Sequence, residues 1–121
     1  MWYASVMSNT IEHRSAKTAA QSPSRGALIA RLKSQADEIR DHGVVSLAIF
    51  GSRARSDASS DSDLDVLISY DADRRPFTLY DLVRVERLLE RITGLDVHVS
   101  TRDGFRPTRL RRVLKDAVSV L

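Results

Sequence analysis

Two short apolar runs separated by a polar gap constrain this chain more than any other feature. Val44–Phe50 reads VVSLAIF and Leu64–Tyr70 reads LDVLISY. Both are too short for a buried helix and carry β-branched residues, so both are expected as strands. Two strands alone are marginal in water, and a sheet of this kind needs helices to cover its apolar face. The ends that meet the gap are specific. The first run closes on Gly51-Ser52, the ten residues 53–62 follow, and Asp63-Leu64-Asp65 opens the second run. The segment from Gly51 to Ser62 is small and polar, which predicts a loop with about one helical turn.

The flanking sequence supplies the helices. Ser24 is a candidate N-cap for a helix to about His42, with Leu28, Ile29, Leu32, Ala36 and Ile39 at helical spacing and Gly43 as the stop. Thr78 and Asp81 form a capping-box pattern ahead of a second helix. Leu82, Val85, Leu89 and Ile92 line one side of it and Gly94 ends it, while Leu79, Leu82, Leu88 and Leu89 read as core. Leu95 to Val99 is expected as a third strand, and Pro107 suits the first turn of a last helix with Leu110, Val113, Leu114 and Ala117. Val118 to Leu121 fits a short edge strand. Residues 1–23 lack any period and are expected as a flexible tail, leaving one domain over 24–121.

Composition narrows the function. A chain of 121 residues fits one compact domain. It has no cysteine, which excludes disulfides, thiolate zinc sites and cysteine nucleophiles and fits a reducing cytoplasm. No apolar run approaches the ~20 residues that cross a bilayer, so no membrane association is expected. The net charge of +3 is small, and nucleic acid is disfavoured as a partner on that ground. The positive excess is local: Arg102, Arg106, Arg109, Arg111, Arg112 and Lys115 stand against Asp103 and Asp116. Such a patch could face nucleic acid, an acidic protein or a triphosphate, although a solvated helix face is the commoner outcome.

The chemistry lies at the gap. Gly51 stands where a strand leaves the sheet, and without a Cβ it lets the backbone approach a ligand closely. A helical turn after it would aim N–H groups at an anion, with the Ser52 hydroxyl beside them. Asp63 and Asp65, two apart on a strand, project from one face. Two carboxylates so placed raise each other's pKa unless a cation lies between them, and hard oxygen donors suit Mg²⁺. Two such ions could flank an in-line phosphoryl displacement. Arg53 and Arg55 are candidate triphosphate contacts.

Phe50-Gly51-Ser52-Arg53-Ala54-Arg55 followed by Ser62-Asp63-Leu64-Asp65-Val66-Leu67-Ile68 resembles the minimal nucleotidyltransferases of the DNA polymerase β-like superfamily, whose signature is Gly-Ser, ten residues, Asp-x-Asp. The resemblance extends more loosely over about residues 26–121. It implies an α+β fold, a small mixed β-sheet flanked by helices, and Mg²⁺-dependent transfer of a nucleoside monophosphate from a nucleoside triphosphate such as ATP. Gly51, Ser52 and Arg53 would then hold the nucleotide, and Asp63, Asp65 and a third-strand carboxylate the metal. For that third group the residue type favours Asp96 and the spacing favours His98; Asp96 is the expected ligand because a hard cation needs oxygen. Many such proteins are similar to antitoxins paired with a HEPN-domain toxin, some of which inactivate it by adding AMP to a tyrosine. The resemblance thus implies a HEPN-type toxin as partner, in a homo- or hetero-oligomer. The alternative is a binding module that neutralises a toxin without turnover.

Overall fold

The structure is a computed structural model and describes residues 23–58, 62–73 and 76–121. The tail expected over 1–23 thus lies outside the described residues except for Pro23. Ser24 caps α1 (Arg25–Ser34), its Oγ accepting from the Ala27 N–H at 3.1 Å. The single helix expected to His42 breaks at Gln35 (φ −112°, ψ 23°), whose N–H donates to the Leu32 carbonyl, and resumes as α2 (Ala36–Asp41). The bend has a packing reason: Leu32 and Ile39, on either side of it, both reach the same core with no exposed surface.

Strand β1 (Val44–Phe50) runs into α3, a single turn over Ser52–Arg55, and β2 (Leu64–Tyr70) follows the loop. Helix α4 (Leu79–Thr93) starts in the expected capping box, with the Asp81 N–H donating to Thr78 Oγ1 and the Thr78 N–H donating to Asp81 Oδ2. It ends on Gly94 in the left-handed region (φ 75°, ψ 13°). The third strand, β3, spans Val97–Thr101 rather than Leu95–Val99. After the Gly94 turn, Leu95 and Asp96 are used to bring the chain back to the sheet, the Leu95 N–H resting on Thr93 Oγ1. A 3₁₀ turn (Arg102–Gly104), α5 (Pro107–Asp116) and the two-residue β4 (Val118–Ser119) complete the chain.

The four strands lie in the order β3-β2-β1-β4. β1 pairs antiparallel with β2 and with β4, whereas β2 and β3, joined through α4, are parallel. Leu64, Val66 and Ile68 of β2 are wholly buried with Leu28, Leu32, Val85 and Leu89, so α1 and α4 cover one face of the sheet. Alternation along β2 sends Asp65 and Leu67 to the other face, where α5 lies against β1 and the Phe105 ring meets Phe50 edge-on at 6.2 Å. Asp63, expected on the strand, is the residue just before it. Leu79 is 75% exposed and not core. It sits at the first position of α4, off the stripe of Leu82, Val85 and Leu89 that faces the sheet. Along the β3 edge, the carboxylates of Glu90 and Glu86 in α4 accept from the N–H groups of Val97 (3.2 Å) and Val99 (3.4 Å). Among the described residues no helix is long and apolar enough to cross a membrane.

Candidate functional site

The corner between β1, α3 and β2 gathers most of the singled-out residues. Gly51 adopts φ 75° and ψ −156°, a region closed to side chains. Its carbonyl accepts from the N–H groups of Ala54 and Arg55, each at 3.1 Å, and so starts α3. A Cβ on Gly51 would collide with Asp65 Oδ2 and lie 3.3 Å from Asp65 Cγ. The glycine is therefore the space into which the Asp65 carboxylate fits. Sequence reasoning ascribed this glycine to ligand approach; the structure adds that the approaching group is the chain's own carboxylate.

Asp65 is half-buried and Asp63 exposed. Burial pushes the Asp65 carboxyl above its ordinary pKa; His98 opposes this, Asp63 adds to it, and Arg55 opposes it. A carboxylate whose charged form is penalised in this way is relieved by a cation, and oxygen donors of this kind fit Mg²⁺. Among the described residues no group of three or more His, Asp or Glu side chains stands close enough to hold a metal as it is. Asp63 and Asp65 would therefore need oxygens from water, and from the triphosphate when it is bound, to complete a shell.

Of the two third-strand candidates, His98 is the register partner of Asp65, making a row Phe50–Asp65–His98 across the sheet. Asp96 lies one residue before β3, and its carbonyl accepts from the Leu64 N–H at 2.9 Å. Asp96 is thus tied by its backbone to the start of β2, and His98 is level with the half-buried Asp65 carboxylate.

The two loop arginines part company. Arg53, expected at the nucleotide, is only 5% exposed, and its Nε and Nη2 donate to the Ser62 carbonyl at 3.2 and 2.8 Å. Arg55 is exposed; it donates to Asp57 Oδ2 at 3.1 Å and meets Asp116 of α5 at 3.5 Å. It is the loop cation whose charge reaches Asp65. Two supports were absent from the sequence reading. Arg25 of α1 donates to the Ala54 carbonyl at 2.7 Å, and Asp116 joins α5 to the loop. Both act over 29 residues or more of chain, and no local pattern signals contacts of that range.

The arrangement offers a carboxylate pair, a glycine turn and an exposed guanidinium on one side of the sheet, which suits a metal-bound triphosphate. The family model described as Nucleotidyltransferase domain matches residues 31–120. A candidate protein adenylyltransferase of Methanocaldococcus jannaschii is 39% identical over 80 residues, covering 66% of this chain and 83% of its own length. The protein adenylyltransferase MntA of Thermococcus cleftensis is 31% identical over 84 residues, covering 69% and 82%. Among solved structures, a candidate minimal nucleotidyltransferase superposes with a TM-score of 0.69 at 32% identity, over 82% of this chain and 98% of that one. A toxin–antitoxin structure with AMP-PNP superposes with a TM-score of 0.60 over 74% of this chain and 72% of that one. At 13% identity that likeness concerns the fold alone.

Proposed function

Since the chain belongs to the nucleotidyltransferase domain family and has the mixed sheet of the polymerase β-like fold, we propose that it moves AMP from ATP onto a hydroxyl of a partner protein. The acceptor in this reading is a tyrosine of a HEPN-type toxin, so the transfer makes the chain an antitoxin. The observation that carries the proposal is the Asp65 carboxylate seated in the space left by Gly51, with the charge of Asp63, two residues before it, felt there. Protein adenylyltransferases among the relatives support a protein acceptor, and the toxin–antitoxin fold neighbours support a toxin.

Bound Mg²⁺ would polarise the triphosphate and offset the charge that develops in transfer. The chain's own residues do the rest. Asp65, at the start of β2, and Asp63, just before it, would offer their oxygens to that cation. Gly51 keeps the backbone clear, and Ser52 and Arg55 lie along the turn where phosphate oxygens would rest. The acceptor oxygen attacks the α-phosphorus, the bond from that phosphorus to the bridging oxygen breaks, and pyrophosphate leaves. Asp96 and His98 are the candidates to take the acceptor's proton.

The test is to incubate the full chain with the product of its neighbouring gene, ATP and Mg²⁺ and to weigh that product. A gain of one or more adenylyl masses that vanishes in the Asp63→Ala, Asp65→Ala variant bears the proposal out. Neutralisation of the partner without mass gain, surviving in that variant, selects the second reading, a non-catalytic binding module. One observation favours that alternative: the neighbour of Asp65 on β3 is a histidine, not a carboxylate.

A further inference from the structure

Arg53 is a charged side chain that the transfer reaction, as derived, does not consume. Burying a guanidinium is costly unless its hydrogen bonds are well made. Here two of its nitrogens converge on a single acceptor, the carbonyl of Ser62. Ser62 is the residue immediately before Asp63, so the contact spans the loop from α3 to the first site carboxylate. The guanidinium is a rigid planar fork, and two donors from one fork fix the direction of a carbonyl more firmly than one flexible donor can.

The side on which Arg53 lies also matters. It lines a small cleft with Pro23, Arg25 and Leu28, and Leu28 belongs to the core beneath α1. Ala54, next to it, is equally buried. Arg53 and Ala54 are therefore the inward side of the α3 turn. Arg55 is its exposed side, and its charge is the one felt at Asp65. A second link, from Arg25 Nη1 to the Ala54 carbonyl, holds the same turn to α1. A third is the seating of Asp65 against Gly51.

We propose that Arg53 is a positioning residue: it orients the main chain at Ser62, and through it the Asp63 carboxylate, and it makes no contact with the triphosphate. The inference rests on the reading that Asp63 and Asp65 hold a divalent cation. It departs from the sequence-level expectation that Arg53 binds nucleotide.

Binding measurements on the full chain test it without reliance on turnover. Mn²⁺ alone is titrated by electron paramagnetic resonance, and AMP-PNP is titrated separately in EDTA. Arg53→Met is expected to weaken Mn²⁺ binding on the order of 10-fold, as loss of an outer-shell support does, with AMP-PNP affinity in EDTA unchanged. Arg53→Lys keeps a single donor nitrogen but not the fork, and is expected to lose about 3-fold in Mn²⁺ affinity, again with metal-free nucleotide binding intact. The Lys variant decides the matter if the Met variant does not fold, as judged by circular dichroism. Unchanged Mn²⁺ affinity in the folded variants overturns the proposal. A fall in metal-free AMP-PNP affinity does so as well, because Arg53 would then be touching phosphate. Asp63→Asn in the same Mn²⁺ titration separates the two layers. If that variant binds Mn²⁺ as the parent does, the cation reading itself has failed, whatever Arg53 does.

Discussion

The two faces of β2 follow opposite rules. Leu64, Val66 and Ile68 turn toward α1 and α4 and are wholly buried in an unbroken apolar cluster. On the other face, and in the turn that serves it, local preferences are repeatedly set aside. Gly51 and Ser56 both have positive φ, Asp65 is half-buried with its proton affinity raised, and a guanidinium is sunk behind the loop. The first face holds the molecule together. The second carries groups that cost stability, which is the pattern expected where selection acts on chemistry.

Substitutions at four positions can break that division or sharpen it. Asp65→Asn should have the largest effect, lowering adenylyl transfer by more than about 100-fold, beyond the range for outer-shell partners. The same change should raise the melting temperature at neutral pH. The folded pKa of Asp65 lies above its unfolded value, so folding binds the proton more tightly. Stability therefore falls as pH rises through that window, and the ionised group is a burden above it. Calorimetry from pH 4 to 8 should show the parent losing ground to the variant as pH rises; equal melting points throughout would contradict the assignment. Leu89→Ala, on the opposite face, should cost about 2–5 kcal/mol by denaturant unfolding and leave transfer per folded molecule unchanged.

Ser56→Gly should stabilise the chain by about 0.5–1 kcal/mol, because Ser56 holds φ 64° and ψ 29° at the end of α3, a left-handed conformation that only glycine adopts without strain. Unfolding curves of parent and variant measure this directly. The smallest effect is expected at Tyr70→Phe. The Tyr70 hydroxyl donates to Asp103 at 2.8 Å. Asp103 is held below the usual carboxylate range, first by Thr101 and then by Tyr70. A depressed carboxylate contributes stability above its unfolded pKa and loses it as pH falls through the folded one. The variant should melt within about 1 °C of the parent at pH 7, and the gap should close in acid.

Much of the stabilising face was legible because its information is local and periodic. The Leu82–Val85–Leu89 stripe, the Thr78–Asp81 capping box and the Gly94 stop each declare themselves within a few residues. β1 and β2 fall where their apolar runs place them. Errors arose where the chain bends to serve packing. The break at Gln35 lets two helical segments feed one core, and the two-residue delay of β3 follows from the path after Gly94. The candidate site was half legible. Glycine and carboxylates could be read from spacing, and the minimal nucleotidyltransferase likeness is borne out by the family match. Which of Arg53 and Arg55 turns inward could not, since residues two apart in one helical turn face opposite ways and sequence does not say which way is in. Nor could the level of His98 beside Asp65, which depends on a register set by parallel pairing between strands with a whole helix between them.

The carboxylates of Glu86 and Glu90 along the outer rim of β3 carry a consequence for assembly. Free main-chain donors on a border strand invite another polypeptide to zip alongside. Here acidic side chains have already taken the Val97 and Val99 donors, and the incoming chain would also have to displace two charges. A partner that meets this border is therefore met by side-chain shape and charge, and sheet extension into filaments is disfavoured from it.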